Sequence, residues 1–326
     1  MRSEVELIRL LQQRFPAGGG VRVGIGDDAA VLAGDGRRDW VVTTDLLVEG
    51  VHFLRAAQSA RALGWKALAR SLSDIAAMGA RPRYALVALA APASTPTEWV
   101  KNFFAGMGRL ARRHRVKVAG GDLAAAPQVV ADVQVLGEVK KGKALLRRGA
   151  RPGDIIFASG TPGLSGLGLA CLRAGVASVR PLLKRAVRAH VFPQPRLGLA
   201  TALARRGGVT AMIDLSDGLS TDLNHLCEAS RVGARIYAEM IPAVKVPPSL
   251  ERRLRTSGLK LALEAGEDYE LLFTVTPKAA LRLPRQLAGI KLTPIGEITR
   301  GRRITIVGSF GRPLPLPPRG WDHFRR

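Results

Sequence analysis

The sequence reads as an α+β chain in two domains: an N-terminal mixed α/β sheet domain over residues 1–140 and a C-terminal α/β domain over residues 141–326. Three observations lead there. Residues 1–140 set two long helical periodicities, at 60–78 and 97–114, among roughly six apolar runs of strand length. Residues 140–152 are basic, contain glycine and are poor in large apolar side chains, as a domain boundary is. Beyond them, strand-like and helical runs resume and continue to residue 301.

In the first domain, residues 3–15 bring Val5, Leu7, Ile8, Leu11 and Phe15 to one helical face, and Pro16 with the glycine run 18–20 ends that helix. Residues 21–25 and 30–32 are short strands flanking an acidic turn, and Gly34-Asp35-Gly36 is a hairpin-like turn. The strand over 40–44 delivers Thr43, Thr44 and Asp45 at its end, and 49–53 is a loop. The helix over 60–78 turns Leu63, Ala67, Leu68, Leu72, Ile75 and Ala76 inward, and residues 79–82 stop it. A strand over 84–90, a helix over 97–114, a strand over 116–119 and a strand over 129–136 complete the domain.

In the second domain a strand over 154–158 leads through a small-residue loop, 159–166, into a helix through Cys171. A helix over 197–205 and a strand over 211–213 follow. The helix over 219–230 starts with Ser216 or Asp217 as its N-cap. Further strands lie at 235–238, 271–275 and up to 301. Residues 313–318 form an extended polyproline-type stretch that presents Trp321 and His323 near the end. The endings L-G-E-V at 136–139 and I-G-E-I at 295–298 echo one another and hint at related halves.

Composition narrows the function. No apolar run approaches the roughly 18 residues of a membrane span. The net charge is +24, yet the basic residues are scattered and aromatics are only 5% of the chain, so neither nucleic acid nor membrane is expected as a partner. The positive field instead favours phosphorylated substrates. Cys171 and Cys227 stand alone, which argues against a zinc site and for the cytoplasm.

Against this basic background, five acidic islands stand out: G-I-G-D-D-A-A (24–30), V-V-T-T-D (41–45), S-L-S-D (71–74), V-A-G-G-D (118–122) and M-I-D-L-S-D-G (212–218). Adjacent carboxylates repel, and Asp74 near a helix C-terminus also opposes the helix dipole. Cations relieve both. Asp27, Thr43, Thr44, Asp45, Asp74, Asp122, Asp214 and Asp217 are hard oxygen ligands of the kind Mg²⁺ prefers, and are expected to meet around several Mg²⁺ ions. Asp28 reads equally as a local turn-shaping residue. His52 is within a few residues of the Thr44-Asp45 segment and within reach of a phosphate, and Trp321 is able to stack on a flat ring. No Walker-type loop or protein-kinase motif set is present.

These segments, with S-D-I-A-A-M-G-A (73–80), G-E-D-Y-E-L (266–271) and G-W-D-H-F (320–324), resemble the thiamine-monophosphate kinase family. That family lies within the aminoimidazole ribonucleotide synthetase-like ATP-binding superfamily. The resemblance runs nearly the whole chain, in order. It implies ATP-dependent phosphorylation of thiamine monophosphate to thiamine diphosphate, in thiamine diphosphate biosynthesis. It also implies a homodimer joined through the N-terminal sheets, with ATP and several Mg²⁺ in the interdomain cleft. By motif match the eight oxygen ligands above hold metal; Gly121, Asp122, Arg147 and Ser216 contact ATP; His52, Glu267 and Trp321 contact thiamine monophosphate. Arg147 is favoured over its neighbour Arg148. Phe104 stands where an aromatic hydroxyl is expected. The acceptor is itself a phosphate, so direct in-line transfer needs no covalent or general-base residue.

Overall fold

The computed structural model describes residues 3–176 and 180–324. The first domain is built on a sheet of six strands, β1 (Val21–Val23), β2 (Ala30–Ala33), β3 (Arg38–Val48), β4 (Arg81–Ala91), β5 (Lys117–Ala125) and β6 (Val130–Lys140), in the order β1-β2-β3-β6-β4-β5. Its helices are α1 (Glu4–Arg14), α2 (Ala60–Ala77) and α3 (Thr97–His114). Only β4 and β5 pair in parallel, because α3 carries the chain between them as a crossover.

One face of the sheet is covered and the other is not. On β3, Asp39, Val41, Thr43 and Leu47 are buried, while Trp40, Thr44 and Leu46 are exposed, the period-two alternation of a half-covered strand. α2 lies on the covered face and is buried on nearly every side, since it also packs against the second domain. α2 and α3 approach closely at Gly64 and Gly106. A Cβ on Gly64 would sit 1.8 Å from the Phe103 carbonyl oxygen, and one on Gly106 would sit 1.9 Å from that of Arg61.

The second domain holds β7 (Ile155–Ser159), β8 (Val209–Asp214), β9 (Gly233–Tyr237), β10 (Leu271–Val275), β11 (Gln286–Leu287), β12 (Ile290–Thr299), β13 (Ile304–Val307) and β14 (Pro313–Pro315). They order as β14-β13-β9-β12-β7-β10-β8, with β11 paired to β12. Helices α4 (Leu164–Arg173), α5 (Pro181–Val191), α6 (Leu197–Arg206), α7 (Leu219–Ser230), α8 (Pro248–Leu254), α9 (Gly258–Glu264) and the single turn α10 (Pro277–Ala280) surround the sheet. One hydrophobic core crosses from Leu63, Leu68 and Leu72 of α2 to Leu199 and Leu203 of α6 and Met212 of β8.

Several elements differ from expectation. β3 runs on to Val48 and β5 to Ala125, so Asp45 and Asp122 are mid-strand and not strand ends. β6 pairs with β3 from Arg38 to Val48 and carries it past the polar T-T-D segment. The N-cap of α7 is Gly218, not Ser216 or Asp217; the Asp222 carboxylate within the helix accepts from the Asp217 and Gly218 N–H groups. The proline-rich tail pairs with β13 as an edge strand, a position that tolerates proline.

Candidate active site

A cavity of about 400 Å³ opens where α2, the β3 region, the end of β8 and the turn before β10 meet. Its acidic wall holds Asp28, Thr43, Thr44, Asp45, Asp74, Asp214 and Asp217. These residues come from four separate segments, and hydroxyl–carboxylate bonds tie two of the acids across them. Thr43 Oγ1 donates to Asp74 Oδ2 at 2.6 Å, and Ser73 Oγ donates to Asp214 Oδ2 at 2.5 Å. Asp74 is thus held by β3, and Asp214 by α2.

The carboxylates strain against their setting. Burial pushes Asp27, Asp214 and Asp217 up to about 7, aided by the neighbouring charges of Asp28 for Asp27 and Asp214, and of Glu4 for Asp217. Asp74 is pushed well above the usual carboxylate range by burial and by Asp214, Asp45 and Asp28. Asp28 Oδ2 is a buried oxygen without a hydrogen-bond partner among the described residues. An orphaned oxygen amid mutually repelling carboxylates and hydroxyls suits a hard divalent cation such as Mg²⁺. Among the described residues, no three His, Cys, Asp or Glu side chains converge closely enough to hold an ion by themselves. Mg²⁺ commonly binds one or two carboxylates and completes its shell with phosphate and water, so this donor set fits it.

Arg147 supplies the compensating positive charge. Its Nε and Nη2 donate to Asp28 Oδ1 at 3.0 and 2.6 Å, and its backbone N–H faces the Asp27 carboxylate at 3.2 Å. Asp28 lines the cavity, while the Asp27 carboxylate faces the Arg147 and Asp28 backbone N–H groups. Arg147 and Ser216 both line the cavity, and Arg148 is exposed.

Gly121 and Asp122 are not among the lining residues. Both lie on β5, an edge strand exposed along its whole length. The sheet register aligns Leu46, Asp132, Ala88 and Asp122 across four strands, on the uncovered face. Thr44 Oγ1 donates to Asp132 on that same face. Gly121 meets a packing demand of its own, because a Cβ there would sit 1.8 Å from the Val87 carbonyl oxygen.

The same cavity is also lined by His52, Glu267, Tyr269 and Trp321. Trp321 is 45% exposed; its backbone N–H donates to the Asp217 carbonyl at 3.1 Å and its indole N–H to His323 Nδ1 at 3.3 Å. His52 Nδ1 accepts from the Val48 N–H at 2.9 Å, so the ring proton of the neutral form sits on Nε2, which has no partner among the described residues. Burial and the Arg70 charge pull His52 down to about 3, leaving it neutral at physiological pH. Glu267 accepts from Lys66 at 2.7 Å and from Arg70 at 3.3 Å. Burial pushes its carboxyl up, but those cations outweigh it and hold it at about 2. Arg70 also donates to Asp45 at 2.7 Å. Phe104 packs edge-on against Phe103.

Lys66, Arg70, Glu4 and Tyr269 were passed over in the sequence, and Asp28 was placed behind Asp27 as a turn-shaping residue. A signal was present for two of them: Lys66, Arg70 and Asp74 recur every four residues and so share one face of α2.

Residues 26–139 match the AIR synthase related protein N-terminal domain, and residues 151–309 its C-terminal domain. Thiamine-monophosphate kinase of Synechococcus elongatus is 38% identical, covering 99% of this chain and 96% of that protein. The protein of the same name from Escherichia coli K12 is 38% identical, over 93% and 92%. Among solved structures, AaThiL complexed with AMPPCP and TMP superposes with a TM-score of 0.88 at 31% identity, over 99% of both chains. Thiamine-monophosphate kinase from Stenotrophomonas maltophilia K279a superposes with a TM-score of 0.75 at 34% identity, over 93% and 96%. With both domains matched and the likeness running nearly end to end, the chain belongs to the thiamine-monophosphate kinase family of AIR synthase related proteins.

Proposed function

We propose that this chain transfers the γ-phosphoryl group of ATP directly to the phosphate of thiamine monophosphate, giving thiamine diphosphate and ADP. One observation carries the reading: a single cavity is lined both by an oxygen-rich acidic set and by Trp321, His52 and Glu267. The relative solved with AMPPCP, an ATP analogue, and TMP supports it.

In this reading Asp27, Thr43, Asp45, Asp74, Asp214 and Asp217, with Asp28, hold Mg²⁺; Thr44 lines the same cavity with its hydroxyl given to Asp132 on the uncovered face, so it joins them only through its main chain. Bound there, Mg²⁺ supplies the positive charge that lets two phosphates approach. Arg147 and Ser216 contact ATP, with Arg147 already fixed by Asp28. The acceptor phosphate is largely ionised near neutral pH, its second pKa being about 6, so no side chain has to remove a proton. The chain's own task is alignment. His52 offers Nε2–H to the acceptor, Glu267 offers a fixed negative charge, and Trp321 stacks on the thiazolium cation for roughly 0.5–1 kcal/mol at this exposure.

The first domain, residues 1–140, binds metal and ATP and dimerises; residues 141–326 complete the site. The uncovered face of the first sheet exposes Trp40, Leu46, Tyr84 and Leu86, and β5 leaves its edge unpaired. A second copy of the chain, covering this face, removes both liabilities. Gly121 and Asp122 lie on it, so their contacts with nucleotide and metal belong to the dimer. No helix among the described residues is long and apolar enough to cross a membrane. Both cysteines are free and buried, consistent with a reducing cytoplasm.

The test is chromatographic analysis after incubation with Mg-ATP and a panel of phosphate monoesters. Thiamine diphosphate from thiamine monophosphate, and little from other acceptors, is the expected outcome. Conversion of a different phosphate acceptor, with thiamine monophosphate untouched, would overturn the assignment.

A further inference from the structure

Lys66 is the largest fully buried side chain in the described chain, with no measurable exposure, and it lies in the middle of α2. Its Nζ does not line the cavity. It sits behind the wall and donates twice, to Glu267 Oε2 at 2.7 Å and to the His52 carbonyl at 3.3 Å. These are two of the three residues read above as contacts for the acceptor, and they come from different domains. Arg70, one helical turn on, takes the other Glu267 oxygen. Each oxygen of Glu267 therefore has its own cation from α2.

Glu267 needs that grip. It has φ +65°, and Tyr269 two residues later has φ +50°, both in the left-handed region that side chains with a Cβ seldom adopt. The turn is anchored within its own domain by the Glu267 and Tyr269 N–H groups, which donate to the Ser216 and Leu215 carbonyls at 2.7 and 2.9 Å. Asp268 accepts from the Gly163 and Ser165 N–H groups at the start of α4, and Glu270 is held by Arg196 and Ser159. Of the three acids in this turn, only Glu267 has its carboxylate held from the other domain. A buried lysine is costly to keep unless its ammonium is paired, and here it is paired with a group that faces ligand.

We infer that Lys66 is the positioning residue of the acceptor subsite: it holds the Glu267 carboxylate of the second domain and the His52 main chain of the first in one geometry for thiamine monophosphate. The inference rests on the reading of Glu267 and His52 as acceptor contacts. Lys66 touches no substrate itself, so its removal acts on acceptor affinity and leaves the nucleotide side intact.

The test is a double-mutant cycle in steady-state kinetics on the full chain, using Lys66→Met, Glu267→Gln and the double variant. Lys66→Met is expected to raise the KM for thiamine monophosphate about tenfold or more, with the KM for ATP within about twofold of wild type. In the Glu267→Gln background the same change should have a much smaller effect, about threefold or less, because the carboxylate it holds is already neutral and only its bond to the His52 carbonyl is left to lose. Equal losses toward both substrates, or effects that simply multiply across the cycle, overturn the inference. Should Lys66→Met fail to fold, the double variant decides. If it folds and matches Glu267→Gln, Lys66 acts through Glu267; if it does not fold, or is much worse than Glu267→Gln, the role is structural and the inference fails. Wild-type protein that makes no thiamine diphosphate defeats the functional reading instead, and the two failures are distinct.

Discussion

Ser73 of α2 donates its hydroxyl to the Asp214 carboxylate of β8 at 2.5 Å, joining a helix of the first domain to a strand of the second inside the protein. The next residue, Asp74, accepts from Thr43 of β3. The acidic wall is thus assembled from both sheets through one helix. It brings like charges together in a buried setting, an arrangement that works against stability and implies a use.

Asp214→Asn keeps the size of the side chain and an oxygen able to accept from Ser73, but removes one of the repelling charges. Turnover should fall by about ten- to a hundredfold or more, since loss of the groups that merely support a metal site already costs about that much. The melting temperature of the ligand-free protein should hold or rise. Scanning fluorimetry beside a kinase assay reads both; wild-type activity, or a collapse of stability, would count against the metal assignment.

Trp321 reaches the cavity from the tail, its main chain held by a backbone N–H bond to the Asp217 carbonyl. Trp321→Ala should raise the KM for thiamine monophosphate several-fold, in line with a loss of roughly 0.5–1 kcal/mol in stacking plus lost apolar contact. The KM for ATP should not move. Parallel losses toward both substrates would remove the stacking role.

His52 is held at about 3 by burial and by Arg70, and stays neutral from mildly acidic to basic pH. His52 should therefore add no inflection to the pH dependence of the KM for thiamine monophosphate between about pH 6 and 8, where the acceptor phosphate, with a second pKa of about 6, and the Asp27, Asp214 and Asp217 carboxylates titrate. His52→Asn should shift the magnitude of KM and leave the shape of the profile alone. An inflection that disappears in this variant would assign a titrating role to His52.

The uncovered sheet face predicts association. Leu46 is 52% exposed at its centre, beside Asp132. Leu46→Glu places another carboxylate there and should convert a dimer to monomer in light scattering, with the fold retained by circular dichroism. A wild-type chain that is monomeric at micromolar concentration would rule this interface out.

The long helices of the first domain were legible because α2 and α3 carry an unbroken apolar period. The course of β3 was not: T-T-D looks like a strand ending, and only the partner β6, some ninety residues on, keeps it extended. α8 and α9, at seven residues each, are too short to set a period, whereas α5 turns Leu183, Ala186 and His190 inward at helical spacing and was passed over although its pattern was present. The acids of the cavity were legible as a set. Their individual duties were not, since Asp28 is turned inward by Arg147 from across the chain, and Asp122 is kept from the cavity by the edge position of β5. Strand order is a long-range property that no local segment records.

The measurement that bears most directly on the central claim is phosphorus NMR of the purified chain with ATP and thiamine monophosphate, with Mg²⁺ and again with EDTA. Loss of the monoester signal and growth of thiamine diphosphate and ADP signals in equal amounts are expected only in the presence of Mg²⁺. Thiamine diphosphate formed equally in EDTA would contradict the role of the acidic wall, and ATP consumed with release of inorganic phosphate alone would contradict the transfer.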